Sequence, residues 1–153
     1  MHWSEPFPGH CLQYNTREYS ALLWDIPPSF DVRKGCEYTP IDINGETVES
    51  PDVCDDQGEH GMYGHWRVNF SEMACKPLWG SFSDLGCTGL GTGKHRVESR
   101  LWNLRQGDDW AKMCGTTPAL IHNVDYPSPT YCDNRGIFSG MYGIWDIEDP
   151  ACI

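Results

Sequence analysis

The cysteines of this chain are written in two matching sets. Cys11, Cys36, Cys54 and Cys75 are separated by 25, 18 and 21 residues, and Cys87, Cys114, Cys132 and Cys152 by 27, 18 and 20. The residues between them agree as well. Cys36-x-x-Thr39-Pro40 recurs as Cys114-x-x-Thr117-Pro118, Ser50-Pro51 as Ser128-Pro129, and Cys54-Asp55-x-x-Gly58 as Cys132-Asp133-x-x-Gly136. Gly61-Met62-Tyr63-Gly64-x-Trp66 recurs as Gly140-Met141-Tyr142-Gly143-x-Trp145, and Ala74-Cys75 as Ala151-Cys152. The pattern predicts a small, loop-rich α+β fold with pseudo-twofold symmetry: a first four-cysteine repeat over 1–75, a packed linker over 76–86 and a second repeat over 87–153. Nothing in the pattern specifies a reaction.

A unit of this size is close to the limit at which a hydrophobic core suffices, and disulfides fill that gap. Eight cysteines with no C-x-x-C pair read as four bridges formed in an oxidising compartment, not as zinc ligands or a redox motif. The expected location is therefore extracellular. The first residues lack the basic and apolar regions of a signal peptide, which reads as a mature form whose leader has been removed. No stretch approaches the roughly 20 apolar residues of a membrane-spanning helix. Asn69-Phe70-Ser71 is the one N-glycosylation sequon, which makes Asn69 a candidate glycan acceptor.

A formal charge of −11 argues against nucleic acid and anionic membrane as partners. The charge is unevenly spread: residues 1–75 carry 13 acids against 4 bases, residues 76–153 carry 9 against 7. Lys94, Arg96, Arg100 and Arg105 form a basic run in the second half, read as a solvated helix face.

In the first repeat Tyr19, Leu22, Leu23 and Ile26 fall at i, i+3, i+4 and i+7 after Asn15-Thr16 and before Pro27-Pro28, the signature of a short helix. Val97, Leu101 and Leu104 keep that phase in the second repeat, with Gly107 as the stop. Short strands are expected at Ile41-Asp42-Ile43 and Leu120-Ile121, the first turning at Asn44-Gly45 in a type I′ hairpin, and a longer strand at Trp66–Phe70. Leu78, Trp79 and Phe82 predict that the linker packs against something. If each repeat closes on itself in the same way, three disulfide patterns remain. The expected one joins first to second and third to fourth: Cys11–Cys36, Cys54–Cys75, Cys87–Cys114 and Cys132–Cys152.

The duplicated Gly-Met-Tyr-Gly-x-Trp segment is the leading binding candidate. Aromatic rings beside a polar loop suit stacking on the apolar face of a sugar, with carboxylates or amides taking its hydroxyls. Tyr63, Trp66, Tyr142 and Trp145 would form the platform, and Asp55, Asp133 and Asn134 the polar contacts; two copies would add avidity. The alternative is that both tryptophans are core and the glycines serve tight turns.

Other chemistry finds little support. His60 and His65 have Ser139 and Ile144 as counterparts, and no set of three or four ligands at zinc spacing is visible, so no metal and no cofactor is expected. An N-terminal His2 would allow a copper brace like that of polysaccharide monooxygenases, a resemblance confined to that residue. The glycines up to Gly93-Lys94 fail as a phosphate loop, because Thr88 and His95 stand where Gly and Ser or Thr are needed. The first functional expectation is thus a secreted, non-enzymatic, lectin-like protein that binds an extracellular glycan. The second is a secreted microbial effector, elicitor or toxin acting on a host protein, since small acidic cysteine-rich secreted proteins of fungi are similar in composition. The third is a polysaccharide-active enzyme, with either two carboxylates or the His2 brace at work.

Overall fold

The computed structural model describes all residues, 1–153. It is mostly β, with 45% of residues in strands and 16% in helices, and four disulfides close it. It divides into two compact units, residues 1–10 with 15–73, and residues 11–14 with 74–153.

The first unit is built on a five-stranded antiparallel sheet. β1 (His2–Trp3), β2 (Phe7–Gln13, whose last residues fall in the second unit) and β3 (Thr16–Trp24) are followed by α1 (Val32–Tyr38). Next come the β4 (Ile41–Ile43) and β5 (Glu46–Val48) hairpin, β6 (Val53–Asp56) and β7 (Met62–Val68). The sheet order is β1-β3-β7-β6, with β2 also on β3. β7 sends Met62, Gly64, Trp66 and Val68 inward, where they meet Trp3, Ala21, Leu23, Ile41 and Ile43.

The second unit contains β8 (Leu78–Trp79), β9 (Ser83–Cys87), β10 (Lys94–Trp102), α2 (Trp110–Thr116) and the β11 (Ala119–Ile121) and β12 (Val124–Tyr126) hairpin. β13 (Tyr131–Asn134), the single-turn α3 (Gly136–Ser139) and β14 (Met141–Glu148) complete it. Its sheet runs β13-β14-β10-β8, with β9 also on β10. Val97, Leu101, Met141 and Trp145 are buried from this sheet, with Ala119 and Ile121 against Trp145.

Two expected helices are strands. Residues 19–24 lie in β3 and 97–102 in β10, where burial alternates: Ala21 and Leu23 point inward while Ser20 and Leu22 point out, and Val97, Ser99 and Leu101 do the same in the second unit. The i, i+3, i+4 spacing coexisted with a period of two. Pairing decided between them, because each strand gains a full ladder against β7 or β14 that a lone seven-residue helix cannot match. Three members of the basic run are accordingly on the outer face of a strand, where Lys94, Arg96, Glu98 and Arg100 alternate with the core residues, and Arg105 lies beyond its end.

The helices occur elsewhere. Asp31 caps α1 by accepting the N–H groups of Arg33 and Lys34, and Asp109 caps α2 through Lys112. The repeated Cys-x-x-Thr-Pro ends them: Thr39 donates to the Gly35 carbonyl and Thr117 to that of Met113, both at 2.6 Å, and the proline prevents another turn. Asn44 and Gly45 turn the β4–β5 hairpin with φ of 52° and 79°, the expected type I′ geometry. Residues 76–86 hold β8 and most of β9, and Trp79 packs edge-on against Trp145 with centroids 4.7 Å apart.

The disulfides are nested, not sequential: Cys11–Cys75, Cys36–Cys54, Cys87–Cys152 and Cys114–Cys132. The expected pairing assumed that each first segment folds back as a helix. A nine-residue strand instead carries the chain some 30 Å along the sheet, so Cys11 and Cys36 part, and the helix bearing Cys36 meets β6 bearing Cys54.

Candidate functional site

The repeated motif splits between the two faces of a strand. Because side chains alternate along β7 and β14, Tyr63 and Tyr142 lie on the outer face and Trp66 and Trp145 on the inner one. Both tryptophans are 1% exposed, so neither offers a face to a sugar, and their role in the predicted platform is withdrawn. Each sits edge-on against a second tryptophan: Trp3 on Trp66 at 4.8 Å and 87°, Trp79 on Trp145 at 4.7 Å and 78°. The second glycine of each motif makes room for that pair. A Cβ on Gly64 would stand 2.6 Å from the Trp66 ring and 2.9 Å from Trp3, and one on Gly143 2.5 Å from Trp79 and 2.8 Å from Trp145. Trp3 and Trp79 donate their indole N–H to the carbonyls of Thr39 and Pro118, which ties each ring to the end of a helix.

The outer residues are brought together as cross-strand neighbours, Asp55 with Tyr63 and Asp133 with Tyr142. In the first unit Asp55 accepts from Gln57 at 3.0 Å and lies 3.4 Å from Nε2 of His65, whose Nδ1 is 2.8 Å from Ser20 Oγ. The Gln57 amide, then His65, hold the Asp55 carboxyl below the usual carboxylate range. In the second unit Arg135 stacks 3.9 Å over the Tyr142 ring and reaches Asp133 at 3.0 Å and Glu98 at 2.6 Å. The ring face and the carboxylate predicted to receive a sugar are thereby engaged by the protein's own guanidinium. Asn134 accepts the N–H of Gly136 and shapes the turn into α3. Asn69 follows β7 with its side chain exposed.

The second unit carries an apolar surface. α3 displays Ile137, 78% exposed, and Phe138, 90% exposed, where the single 3₁₀ turn after β6 carries Glu59 and His60. Ile137 lines a recess with Arg100, Trp102, Leu104, Trp110 and Met141. Trp102, 49% exposed, pairs across the sheet with Leu78, 61% exposed, so the apolar surface continues from the recess onto β8. The sequence signal for this patch was a difference between the two halves: Ile137-Phe138-Ser139 stands between Gly136 and Gly140, where only Glu59-His60 stands between Gly58 and Gly61.

A second cavity of the same unit, about 530 Å³, is lined by His95, His122, Ile121, Tyr126, Asp146 and Asp149 among others. His95 Nδ1 lies 3.2 Å from Asp149, and Asp146 is held by Arg96 through bonds of 2.8 and 3.1 Å. No three His, Cys, Asp or Glu side chains anywhere in the structure are arranged to hold a metal ion. His2 pairs with Asp25 at 3.2 Å. The chain matches no protein-family model, and neither a curated protein nor a solved structure is similar to it, so its function is to be read from these surfaces alone.

Proposed function

We propose that the chain is a secreted recognition protein, an internal duplication in which both copies keep one scaffold and the second binds a protein partner. Four disulfides, and no helix long and apolar enough to cross a membrane, are compatible with an extracellular location. The two halves support the duplication reading through the same nesting of bridges, with sequence separations of 64 and 65 for the outer pair and 18 for both inner pairs.

The observation that carries the binding proposal is the contiguous exposed set Leu78, Trp102 and Ile137, with Phe138 beside it. Large apolar side chains grouped on a surface cost free energy unless a partner covers them, and tryptophan and arginine are over-represented among residues that dominate protein–protein binding. A glycan is a weaker match, because Trp66 and Trp145 are core and Tyr142 is covered by Arg135.

The test compares oxidised wild-type protein with the double variant Ile137→Glu/Phe138→Glu. Both are presented to a glycan array and to extracellular proteins from the source and its environment, with a Tyr38→Glu variant as a surface control. A protein captured by wild type and control but lost with the double variant supports the reading. Glycan binding that survives the double variant overturns it, and so does concentration-dependent self-association that the double variant abolishes.

A further inference from the structure

Within β10, Arg100 is the cation of the basic run that has no acid beside it. Arg96 is held by Asp146, Arg135 by Glu98 and Asp133, and Arg17 lies 4.0 Å from the buried Glu72, whereas no carboxylate lies within ion-pair distance of Arg100. Its guanidinium is nonetheless fixed. It stacks 4.0 Å over the Trp102 ring on one side and lies across the backbone of Gly140 on the other, so close that a Cβ there would overlap its Nε and leave 2.8 Å to its Cζ. Arg100 Nε is buried and has no hydrogen-bond partner. The recess it lines, about 110 Å³, also includes Trp102, Asn103, Leu104, Trp110, Ile137 and Met141, and contains no acid of its own.

A planar cation that lines a recess, is fixed by stacking and has no carboxylate beside it is a receptor for one chemical group. We propose that this recess takes the side-chain carboxylate of an aspartate or glutamate on the protein partner, with apolar residues beside it meeting Trp102 and Ile137. Arginine binds carboxylates through two parallel N–H···O bonds, shorter and stronger than those between neutral groups. Charge complementarity fixes the sign of the ligand, and a recess of about 110 Å³ has room for one carboxymethyl or carboxyethyl group. The first unit carries no such device. Leu22 stands on β3 where Arg100 stands on β10, and it packs against Gly61 as Arg100 packs against Gly140.

This inference rests on the patch being a protein-binding surface, and the experiment separates the two. Three peptides serve as probes: acetyl-Leu-Glu-Phe-amide, acetyl-Leu-Gln-Phe-amide, and acetyl-Leu-Gln-Phe with a free C-terminal carboxylate. Each is titrated into the oxidised protein while the Arg100 Nε–H and Trp102 indole N–H resonances are followed by NMR. The glutamate peptide is expected to saturate in the millimolar range, shift both signals and bind about 10-fold more tightly than the glutamine amide. Arg100→Leu, which places in the second unit the side chain the first already accommodates, is expected to remove that preference and keep the fold. Equal binding of glutamate and glutamine peptides overturns the carboxylate proposal, as does a preference for the free C-terminus or no shift with the glutamate peptide. If the peptides bind equally but lose affinity in Ile137→Glu/Phe138→Glu, the patch stands and only the carboxylate assignment falls; if that variant changes nothing, both fall.

Discussion

At the scale of single residues, the repeated motif is explained by crowding. Met-Tyr-Gly-x-Trp places a glycine where two indole rings meet at right angles, and the strand that carries it also presents a tyrosine to the other face. Gly143→Ala would drive a methyl group to 2.5 Å from the Trp79 ring. Trp145 is buried and Trp79 is tied to the Pro118 carbonyl, so the substitution is expected to cost about 2–3 kcal/mol in chemical denaturation. A cost below 0.5 kcal/mol, the usual ceiling for a surface site, would show that the pair does not hold the core. The ion pair of Asp146 with Arg96 leaves a mark on pH dependence. The guanidinium holds the Asp146 carboxyl below its usual range, so the pair contributes stability above the unfolded carboxylate's pKa of about 4 and loses it as pH falls through the lower folded value. Asp146→Asn should therefore lower Tm at neutral pH, and the gap from wild type should close towards pH 2. A gap that stays constant with pH would assign the effect to packing. The identity of the motif residues was legible in the sequence; their division between faces was not, because that depends on strand phase, and Trp66 and Trp145 fell on the wrong side of the expectation.

At the scale of elements, the sequence was clearest where a turn is specified by its own residues. Asn44-Gly45 can adopt positive φ at both positions without strain, and the hairpin is where the dipeptide places it. The strands β3 and β10 were read as helices because Tyr19, Leu22, Leu23 and Ile26 keep the helical period, while Tyr19, Ala21 and Leu23 keep a period of two. Only the partner strand resolves the choice, and it lies more than 40 residues away along the chain. The capped helices were missed for the opposite reason: at seven residues each, α1 and α2 are too short to develop a periodic pattern, and their signals were the caps Asp31 and Asp109. The β11–β12 hairpin turns at His122 and Asn123, with φ of 51° and 64°, and uses side chains less suited to that geometry. Replacing the pair by the Asn-Gly of the first hairpin should stabilise the second unit by about 1 kcal/mol, a rise of about 4 °C in Tm. No rise would mean that His122 compensates through contacts of its own along the His95 cavity it lines.

At the scale of the molecule, the four bridges differ in access more than in geometry. Cys11 and Cys75 are both buried, and so are Cys36 and Cys114, each the inner member of its pair. Cys87 alone is exposed, at the end of β9, so the Cys87–Cys152 bridge presents a sulfur to an attacking thiolate in the folded state. Thiol–disulfide exchange requires approach to a sulfur atom, so the Cys11–Cys75 bridge, buried at both ends, opens only when its surroundings unfold, and the half-buried Cys54 and Cys132 put their bridges between the two extremes. Limiting reductant under native conditions, followed by alkylation and peptide mapping, should label Cys87 and Cys152 first and Cys11 and Cys75 last. The same map would report connectivity, which the spacing of cysteines left open among three patterns. Loss of the outer bridge removes a constraint on a separation of 65 residues, which loop-closure entropy values at about 4 kcal/mol, so the selectively reduced protein should also melt earlier. Simultaneous release of all eight thiols would indicate instead that the chain unfolds as one cooperative body before any sulfur is reached, and that the exposure of Cys87 gives no reagent an early hold on it.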